Sequence, residues 1–277
     1  MTDKNCISKI LVCVHKKDFF ISDELYMPIQ VGKSISNVDL GIQGDDSGDN
    51  ISAKNREYCE LTAYYWAWKN LKGGDQIGLA HYRRYLDVAN NSSLLKNNIR
   101  ADEVNAPKAD FNKLLKKYDI VLSNYYYHAA SNKVHYCYNH SLDDYNILRE
   151  TVAGFYPEYL NSFDQVMISM IRKNRTSVGN MFFTKWPLFD AYSEWHFTIL
   201  FEVEKKVKLS PYEYQRRVFG FMAERLIDVY CHHNKLKVKR YPILYITDHP
   251  QNKSALSYNF KILKKTVMFH LSSKRRI

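Results

Sequence analysis

Short apolar runs, bounded by polar or glycine-containing segments, recur along the 277-residue chain. Runs of this length that are rich in aliphatic residues are typical of strands buried inside an open sheet. The pattern predicts strands over residues 7–14, 76–80, 118–122, 179–184 and 236–246.

Longer stretches with helical periodicity separate these runs. In one stretch Tyr58, Leu61, Tyr65 and Trp68 fall at i, i+3, i+7 and i+10, which predicts one apolar face on a helix over 52–70. Further helices are predicted over 143–151, 157–173, 187–206 and 215–230, and loops over 39–50, 86–117 (with a short helix at its end) and 123–140. Because strands alternate with helices, we expect a single α/β domain whose mainly parallel sheet is flanked by helices.

The charge of the chain favours an anionic partner. Lys and Arg number 40 against 29 Asp and Glu, a net charge of +11, which suits a nucleic acid, an acidic lipid or a phosphorylated small molecule. The basic residues are spread along the chain and no RNA- or DNA-binding pattern occurs. We therefore expect no nucleic-acid partner, and a basic nucleic-acid-binding protein is the alternative.

The cysteines and the apolar content indicate where the chain resides. Its 5 cysteines are scattered without a CxxC pair, which is typical of a reducing compartment. The amino-terminal segment does not resemble a signal peptide, and no apolar stretch reaches the length of about 18 residues that a membrane span needs.

Polar side chains follow three of the predicted strands. His15 and Lys16 follow the first, the sequence HYRRY at 81–85 follows the second, and a loop rich in tyrosine and histidine follows the third. Ligands of open α/β sheets bind beyond the carboxyl ends of the strands, so this edge is the predicted site.

Two adjacent arginines, Arg83 and Arg84, stand inside HYRRY. Guanidinium groups match phosphate oxygens, and His81 is a further donor to the same phosphate. Neighbouring residues of an extended chain point to opposite sides, so only one of the two arginines is expected to face the ligand. The alternative is that an arginine pairs with a buried carboxylate, such as that of Glu60 or Asp87.

Glu224 is the candidate general base. It lies early in a predicted helix that precedes the last core strand, where many nucleotide-sugar transferases keep the carboxylate that deprotonates the acceptor hydroxyl. The alternative is a surface ion pair with Arg225 or with a lysine. The chain has no HExxH, DxD, P-loop or GxGxxG motif, so we expect neither a metal site nor an ATPase or Rossmann dehydrogenase.

Several segments carry a resemblance to a known family. They are His15-Lys16, 28–32, 49–52 with Asn55, 60–63, 65–66, 68–70, 78–79, HYRRY, 179–182, 220–221 and 224–226. In these segments the chain resembles a bacterial galactofuranosyltransferase family of polysaccharide biosynthesis, formerly a domain of unknown function.

The resemblance implies a GT-A-like (Rossmann-like) fold and transfer of galactofuranose from UDP-galactofuranose, with inversion. It implies as acceptor a hydroxyl of a lipid-linked oligosaccharide or other glycan of a capsule, exopolysaccharide or O-antigen. A UDP-hexopyranose donor and a non-catalytic assembly partner are the alternatives. Most GT-A enzymes carry a DxD motif after the strand that corresponds to 76–80. Here HYRRY takes that place, so we expect no cofactor and a metal-independent reaction, with Mn²⁺ or Mg²⁺ as the alternative.

The resemblance also implies roles for individual residues. The donor-binding residues would be His15, Lys16, Asp49, Asn50, Asn55, Glu60, His81, Arg83 and Arg84. Tyr126, His140 and Asn180 would lie near the acceptor, and Glu224 would be the catalytic base.

We expect a transferase domain over residues 1–260 and a basic amphipathic tail over 261–277. The tail mixes apolar side chains with lysines and arginines, a composition that suits docking on an anionic membrane surface. A packed terminal helix with solvated lysines is the alternative. The expected location is the cytoplasm, peripheral at the inner face of the plasma membrane.

Overall fold

The computed structural model of the chain describes residues 8–89, 98–104, 106–107, 109–168, 174–248 and, near the carboxyl terminus, 260–261, 263–265, 267–268 and 271. Ten strands form one mixed sheet and two more form a separate ladder. The strands are β1 (Ser8–Val14), β2 (Tyr26–Gln30), β3 (Gln43–Gly44), β4 (Gln76–His81), β5 (Arg84–Leu86), β6 (Asn98–Ile99), β7 (Ile120–Ser123), β8 (Tyr126–Tyr127), β9 (Arg175–Thr176), β10 (Phe182–Lys185), β11 (Val238–Tyr241) and β12 (Ile243–Ile246).

The main path of the sheet has the order β11-β7-β10-β4-β1-β2-β3, with β5, β12 and β6 attached beside β4. Strands β1, β2, β3 and β4 are parallel, and β11 is parallel to β7. Strand β10 runs antiparallel to both of its neighbours, β4 and β7. The carboxyl ends of β1, β4 and β7 therefore meet the beginning of β10 at one edge, and this edge positions the site.

Helices cover the sheet. They are α1 (Asn55–Tyr58), α2 (Leu61–Asn70), α3 (Phe111–Lys117), α4 (Asn132–Asn139), α5 (Leu142–Phe155), α6 (Pro157–Met167), α7 (Trp186–Glu204), α8 (Glu213–Arg216) and α9 (Val218–His233). Successive residues of β1 point to opposite faces of the sheet, so Leu11 and Cys13 join the core under α2, α7 and α9, while Ile10 and Val12 join the core that includes Phe111 of α3. The α/β fold with helices on both faces agrees with the prediction.

The structure corrects the prediction in three places. The helix expected over 52–70 is broken at Cys59, whose φ of 53° cannot belong to a continuous helix. The loop expected over 123–140 contains β8 and α4, and Ser131 caps α4 by accepting a hydrogen bond from the Val134 amide. The strand expected over 236–246 divides at Pro242, where the chain leaves β7 and pairs with β5 instead.

Candidate active site

The turn at Gly179 and Asn180 lies at the edge where β4 ends and β10 begins. Both residues have positive φ, 76° and 50°, a conformation that glycine and asparagine adopt more readily than other residues. His81 Nε2 donates a hydrogen bond of 2.7 Å to the Gly179 carbonyl, and Asn180 Nδ2 donates one of 2.7 Å to Glu60 Oε1. The turn thus brings together three predicted site residues, His81, Glu60 and Asn180, from three separate segments.

Glu224 joins the same turn from α9. Its Oε1 accepts a hydrogen bond of 2.7 Å from the Gly179 amide, and its Oε2 accepts one of 2.9 Å from Arg225 Nη1. The Glu224 side chain is 21% exposed, whereas that of Arg225 is 4% exposed. Glu224 therefore pairs with Arg225, as the alternative expected. However, the pair holds a partly buried carboxylate at the site and is not a solvated ion pair on the surface.

Burial raises the pKa of the Glu224 carboxyl above its ordinary value. The Arg225 guanidinium and the Gly179 amide lower it in part, and the negative charge of Glu60 adds to the increase. A partly buried carboxylate with a raised pKa and one open side is a suitable proton acceptor, because each oxygen keeps a lone pair beyond its fixed hydrogen bond.

The break at Cys59 places Glu60 and a further cation beside this carboxylate. The Cys59 amide donates to the Asn55 carbonyl at 2.8 Å, which closes α1, and Glu60 then leads into α2. Arg217, exposed at the start of α9, donates to Cys59 Sγ at 3.1 Å. Arg217 was not among the residues predicted from the sequence, although the adjacent arginines Arg216 and Arg217 at the start of the helix predicted over 215–230 were a visible signal.

His15 and Lys16 lie at the end of β1, where they were predicted. The His15 ring meets Tyr82 edge-on at 5.3 Å, and Lys16 Nζ lies 3.7 Å from Asp18. Partial burial lowers the pKa of His15, and the positive charges of Lys16 and Arg217 lower it further. His15 is therefore an uncharged hydrogen-bonding group at neutral pH, beside several cations.

The two arginines of HYRRY have different environments. Arg83 makes ion pairs with Asp18 at 2.7 Å and with Asp248 at 2.8 Å. Arg84 is exposed on β5, opposite Tyr245, and makes no ion pair within the described part of the chain. The pairing alternative thus holds for Arg83, with Asp18 and Asp248 in place of the expected Glu60 or Asp87, and Arg84 is the arginine available to an anion.

Asp49, Asn50 and Asn55 contact neighbouring parts of the protein. Asp49 Oδ1 accepts from the Tyr65 hydroxyl at 3.1 Å, and Asn50 Nδ2 donates to the carbonyls of Asp46 and Gly48. Asn55 Nδ2 donates to the Cys59 carbonyl at 2.7 Å. These side chains support the loop beyond β2 and β3, and their predicted contact with the donor stays a prediction.

Tyr126 and His140 lie beyond Arg225, on the side of α4. The Tyr126 hydroxyl accepts from Lys265 Nζ at 2.8 Å. His140 stacks on Phe221 at 4.1 Å and donates from Nδ1 to Gln215 at 3.1 Å, and burial lowers its pKa to about 4. Their predicted contact with the acceptor stays a prediction.

Two histidines next to them, the buried His128 and the half-buried His135, were not singled out from the sequence. The rings of His128 and His135 stack at 3.6 Å, and His135 Nδ1 lies 3.5 Å from Arg225 Nη2. Burial lowers the pKa of His128 to about 2 and that of His135 to about 4, so both are neutral. Residues that are far away in the sequence cover these two histidines, so no local sequence pattern identifies them.

Among the described residues, no group of three or more histidine, cysteine, aspartate or glutamate side chains is arranged to hold a metal ion. No described helix combines the length and the apolar character that crossing a bilayer requires.

Comparisons with known proteins cover most of the chain. The family described as "Domain of unknown function (DUF4422)" matches residues 9–235. No curated protein sequence matches the chain significantly. Among solved structures, the apo structure of the WbbM bifunctional glycosyltransferase is similar, with a TM-score of 0.74 and 29% sequence identity. The match covers 87% of this chain and 45% of that one, so this chain spans less than half the length of WbbM.

Proposed function

The chain belongs to the DUF4422 family, and from this we propose that it is a glycosyltransferase that moves galactofuranose from UDP-galactofuranose to a hydroxyl of a lipid-linked glycan. The observation that supports the proposal is the likeness to WbbM, a bifunctional glycosyltransferase, over 87% of the chain. Since the chain spans less than half of a bifunctional protein, we propose one transfer activity for it, in the synthesis of a bacterial surface polysaccharide.

Glu224 is the general base in this proposal. An acceptor hydroxyl at the open side of its carboxylate would lose its proton to Glu224 while its oxygen bonds to the anomeric carbon of the sugar. The bond between that carbon and the phosphate oxygen breaks on the opposite face, and UDP leaves with the electron pair. The fixed contacts to Arg225 and to the Gly179 amide hold the carboxylate in one orientation.

Positive charge at the carboxyl ends of β1 and β4 and at the amino end of β5 would stabilise the leaving diphosphate. Arg84 and Lys16 are exposed at this edge, and Arg217 adds a cation from α9. His81 has a different position: because a carbonyl only accepts, its Nε2 carries the hydrogen bound to Gly179, and His81 supplies charge only when Nδ1 is protonated as well. We therefore assign His81 first to orienting the turn.

Replacing Arg84 with alanine is expected to weaken UDP binding about tenfold, the size of one lost charge-assisted hydrogen bond. Isothermal titration calorimetry with UDP measures it. Arg149→Ala is the matched control, because Arg149 of α5 pairs with Asp164 of α6. The affinity of this variant for UDP should stay at the wild-type level. An Arg84→Ala variant with unchanged affinity would remove Arg84 from the donor site.

The donor is tested by incubating the protein with UDP-galactofuranose and UDP-galactopyranose in parallel, with and without synthetic glycan acceptors, and measuring UDP release and product mass. The proposal predicts a glycosylated product from the furanose donor. A product from the pyranose donor alone would assign a UDP-hexopyranose transferase of the same fold. Absence of turnover with both donors over a range of acceptors would contradict the proposed activity.

We also propose that the carboxyl-terminal segment binds an anionic membrane surface. Its described residues are helical, and Phe260, Leu263, Val267 and Leu271 are 48 to 69% exposed at helical spacing. Lysines lie between them, a pattern typical of helices that lie on membranes. Of the predicted tail over 261–277, residues 262, 266, 269–270 and 272–277 lie outside the described residues. Co-sedimentation with vesicles containing anionic lipid should fall for Leu263→Asp, while Leu209→Asp, a change at another exposed leucine, should leave it unchanged.

A further inference from the structure

A cavity of about 530 Å³ lies apart from the candidate donor site. Its walls come from α6, the carboxyl-terminal half of α9 and the strands β9 and β11. The volume is within the range that small-molecule sites occupy. No residue predicted from the sequence to bind donor or acceptor lines it.

The lining of the cavity carries an excess of positive charge. Arg175, Lys235 and Arg240 face one carboxylate, that of Asp228. Asp228 is already satisfied, because it accepts from Arg240 Nη2 at 2.9 Å and from the amide and hydroxyl of Ser177, both at 2.8 Å. The remaining cations have no carboxylate of the cavity to neutralise them.

Arg175 is the cation that most clearly requires a partner. Its guanidinium carbon lies 4.1 Å from the centre of the Tyr125 ring, and that of Arg240 lies 3.4 Å from the same centre. Arg240 donates to Ser123, Ser177 and Asp228, whereas the Arg175 side chain makes no hydrogen bond or ion pair with the residues that the structure describes. A half-buried guanidinium at a cavity wall with free donors is suited to bind a phosphate or a carboxylate.

The rim adds groups that suit hydroxyls. Asn161 and Gln165 stand one turn apart on α6, both exposed, and both line the cavity. Gln165 Oε1 accepts a hydrogen bond from His232 at 2.9 Å, which leaves the side-chain amide hydrogens of Gln165 free. The side-chain amide of Asn161 makes no hydrogen bond within the described residues. Side-chain amides carry both hydrogen-bond donors and an acceptor, so they are suited to the hydroxyls of a sugar.

The cavity is linked to Glu224 through two short connections. Asp228 follows Glu224 by one turn of α9. The segment 175–179 begins in the cavity wall with Arg175, binds Asp228 through Ser177 and ends at the Gly179 amide, which binds Glu224. A ligand in the cavity would therefore lie next to the helix turn and the segment that hold the proposed base.

From this arrangement we propose that the cavity binds a sugar unit that bears a phosphate or carboxylate group, as part of the glycan acceptor. The acceptor role rests on the proposed transferase function, while the binding itself rests on the cavity alone. The ligand class follows from Arg175, which has no hydrogen-bond or ion-pair partner among the described residues and selects the anion, and from the side-chain amides of Asn161 and Gln165, which select the sugar hydroxyls.

Saturation-transfer NMR and titration test the binding, with saturating UDP present to occupy the donor site. The probes are glucuronic acid, glucose 6-phosphate, glucose and inorganic phosphate. At least one of glucuronic acid and glucose 6-phosphate should bind, and it should bind more tightly than glucose and inorganic phosphate. Arg175→Ala should weaken the binding about tenfold or more, and the rim variant Gln165→Ala should weaken it less. Arg149→Ala, a change at an arginine outside the cavity, should bind as the wild type does.

The outcomes separate the cavity from the transferase activity. Equal binding of glucose, equal binding of inorganic phosphate, unchanged binding by Arg175→Ala, or displacement by UDP would each overturn the proposal. Comparison of the two charged sugars shows whether the anion is a carboxylate or a phosphate. If Arg175-dependent binding occurs in a protein that turns over neither UDP-sugar, the cavity assignment stands and the proposed transferase function fails.

Discussion

Replacing Glu224 with glutamine is expected to lower kcat for sugar transfer by about 100-fold or more, the usual contribution of a general base. Glutamine keeps the shape of the side chain and can still accept from the Gly179 amide, but it cannot take the proton of the acceptor hydroxyl. Affinity for UDP, measured by calorimetry, should stay close to that of the wild type. The measurement is initial-rate kinetics of UDP release at saturating donor and acceptor.

A pH profile separates loss of the base from loss of structure. Burial raises the pKa of Glu224, so the wild-type rate should decline, as the pH falls, at a higher pH than an ordinary glutamate would give. This acidic limb should be absent from the residual activity of Glu224→Gln. Glu150→Gln, a change at an exposed glutamate of α5, is the control and should keep both rate and profile. A Glu224→Gln variant with the wild-type rate would exclude Glu224 as the base and leave Asp143, Asp144 or Asp190 to be tested.

Replacing Asp228 with alanine is expected to lower the free energy of unfolding by about 3 kcal/mol. The Asp228 side chain is 8% exposed and that of Arg240 is 15% exposed, so the substitution leaves a largely buried guanidinium without its carboxylate. It also removes the acceptor of the Ser177 amide and hydroxyl. Urea denaturation followed by circular dichroism measures the change.

The pair of Arg149 and Asp164 is the matched control for this stability change. Its side chains are 37% and 30% exposed, and its Nη2 to Oδ2 distance is 2.6 Å. Because solvent screens an exposed pair, Asp164→Ala should cost about 1 kcal/mol or less. If Asp228→Ala lowers the free energy of unfolding no more than Asp164→Ala does, the buried pair does not stabilise the segment that leads to Glu224.

The fold was predictable where local pattern determines structure. The apolar runs predicted β1, β4 and β7. Helical periodicity predicted α5, α7 and α9 with ends that lie within a few residues of the observed ends. The antiparallel direction of β10 was not predictable, because alternation along a strand carries no information about the direction of its neighbours. The break at Cys59 was also missed, since the stripe of apolar residues continues across it.

The candidate site was predictable only in part, for a related reason. Residues that follow strands directly, such as His15 and His81, have positions that the sheet fixes. The partners of Arg83 come from Asp18 and Asp248, far away in sequence, and no spacing rule identifies them. The cavity lined by Arg175 arises where segments distant in sequence pack together, so its unpaired charge is visible only in three dimensions.

We propose that fixed positive charge at the carboxyl ends of β1 and β4, at the amino end of β5 and on Arg217, directly before α9, stabilises the departing UDP without the help of a metal ion. The motivation is the HYRRY sequence at the place of a DxD motif. The most direct measurement is the rate of sugar transfer from UDP-galactofuranose in excess EDTA compared with the rate after Mn²⁺ or Mg²⁺ is added. We expect equal rates under these conditions. Activity that disappears in EDTA and returns with Mn²⁺ would contradict it.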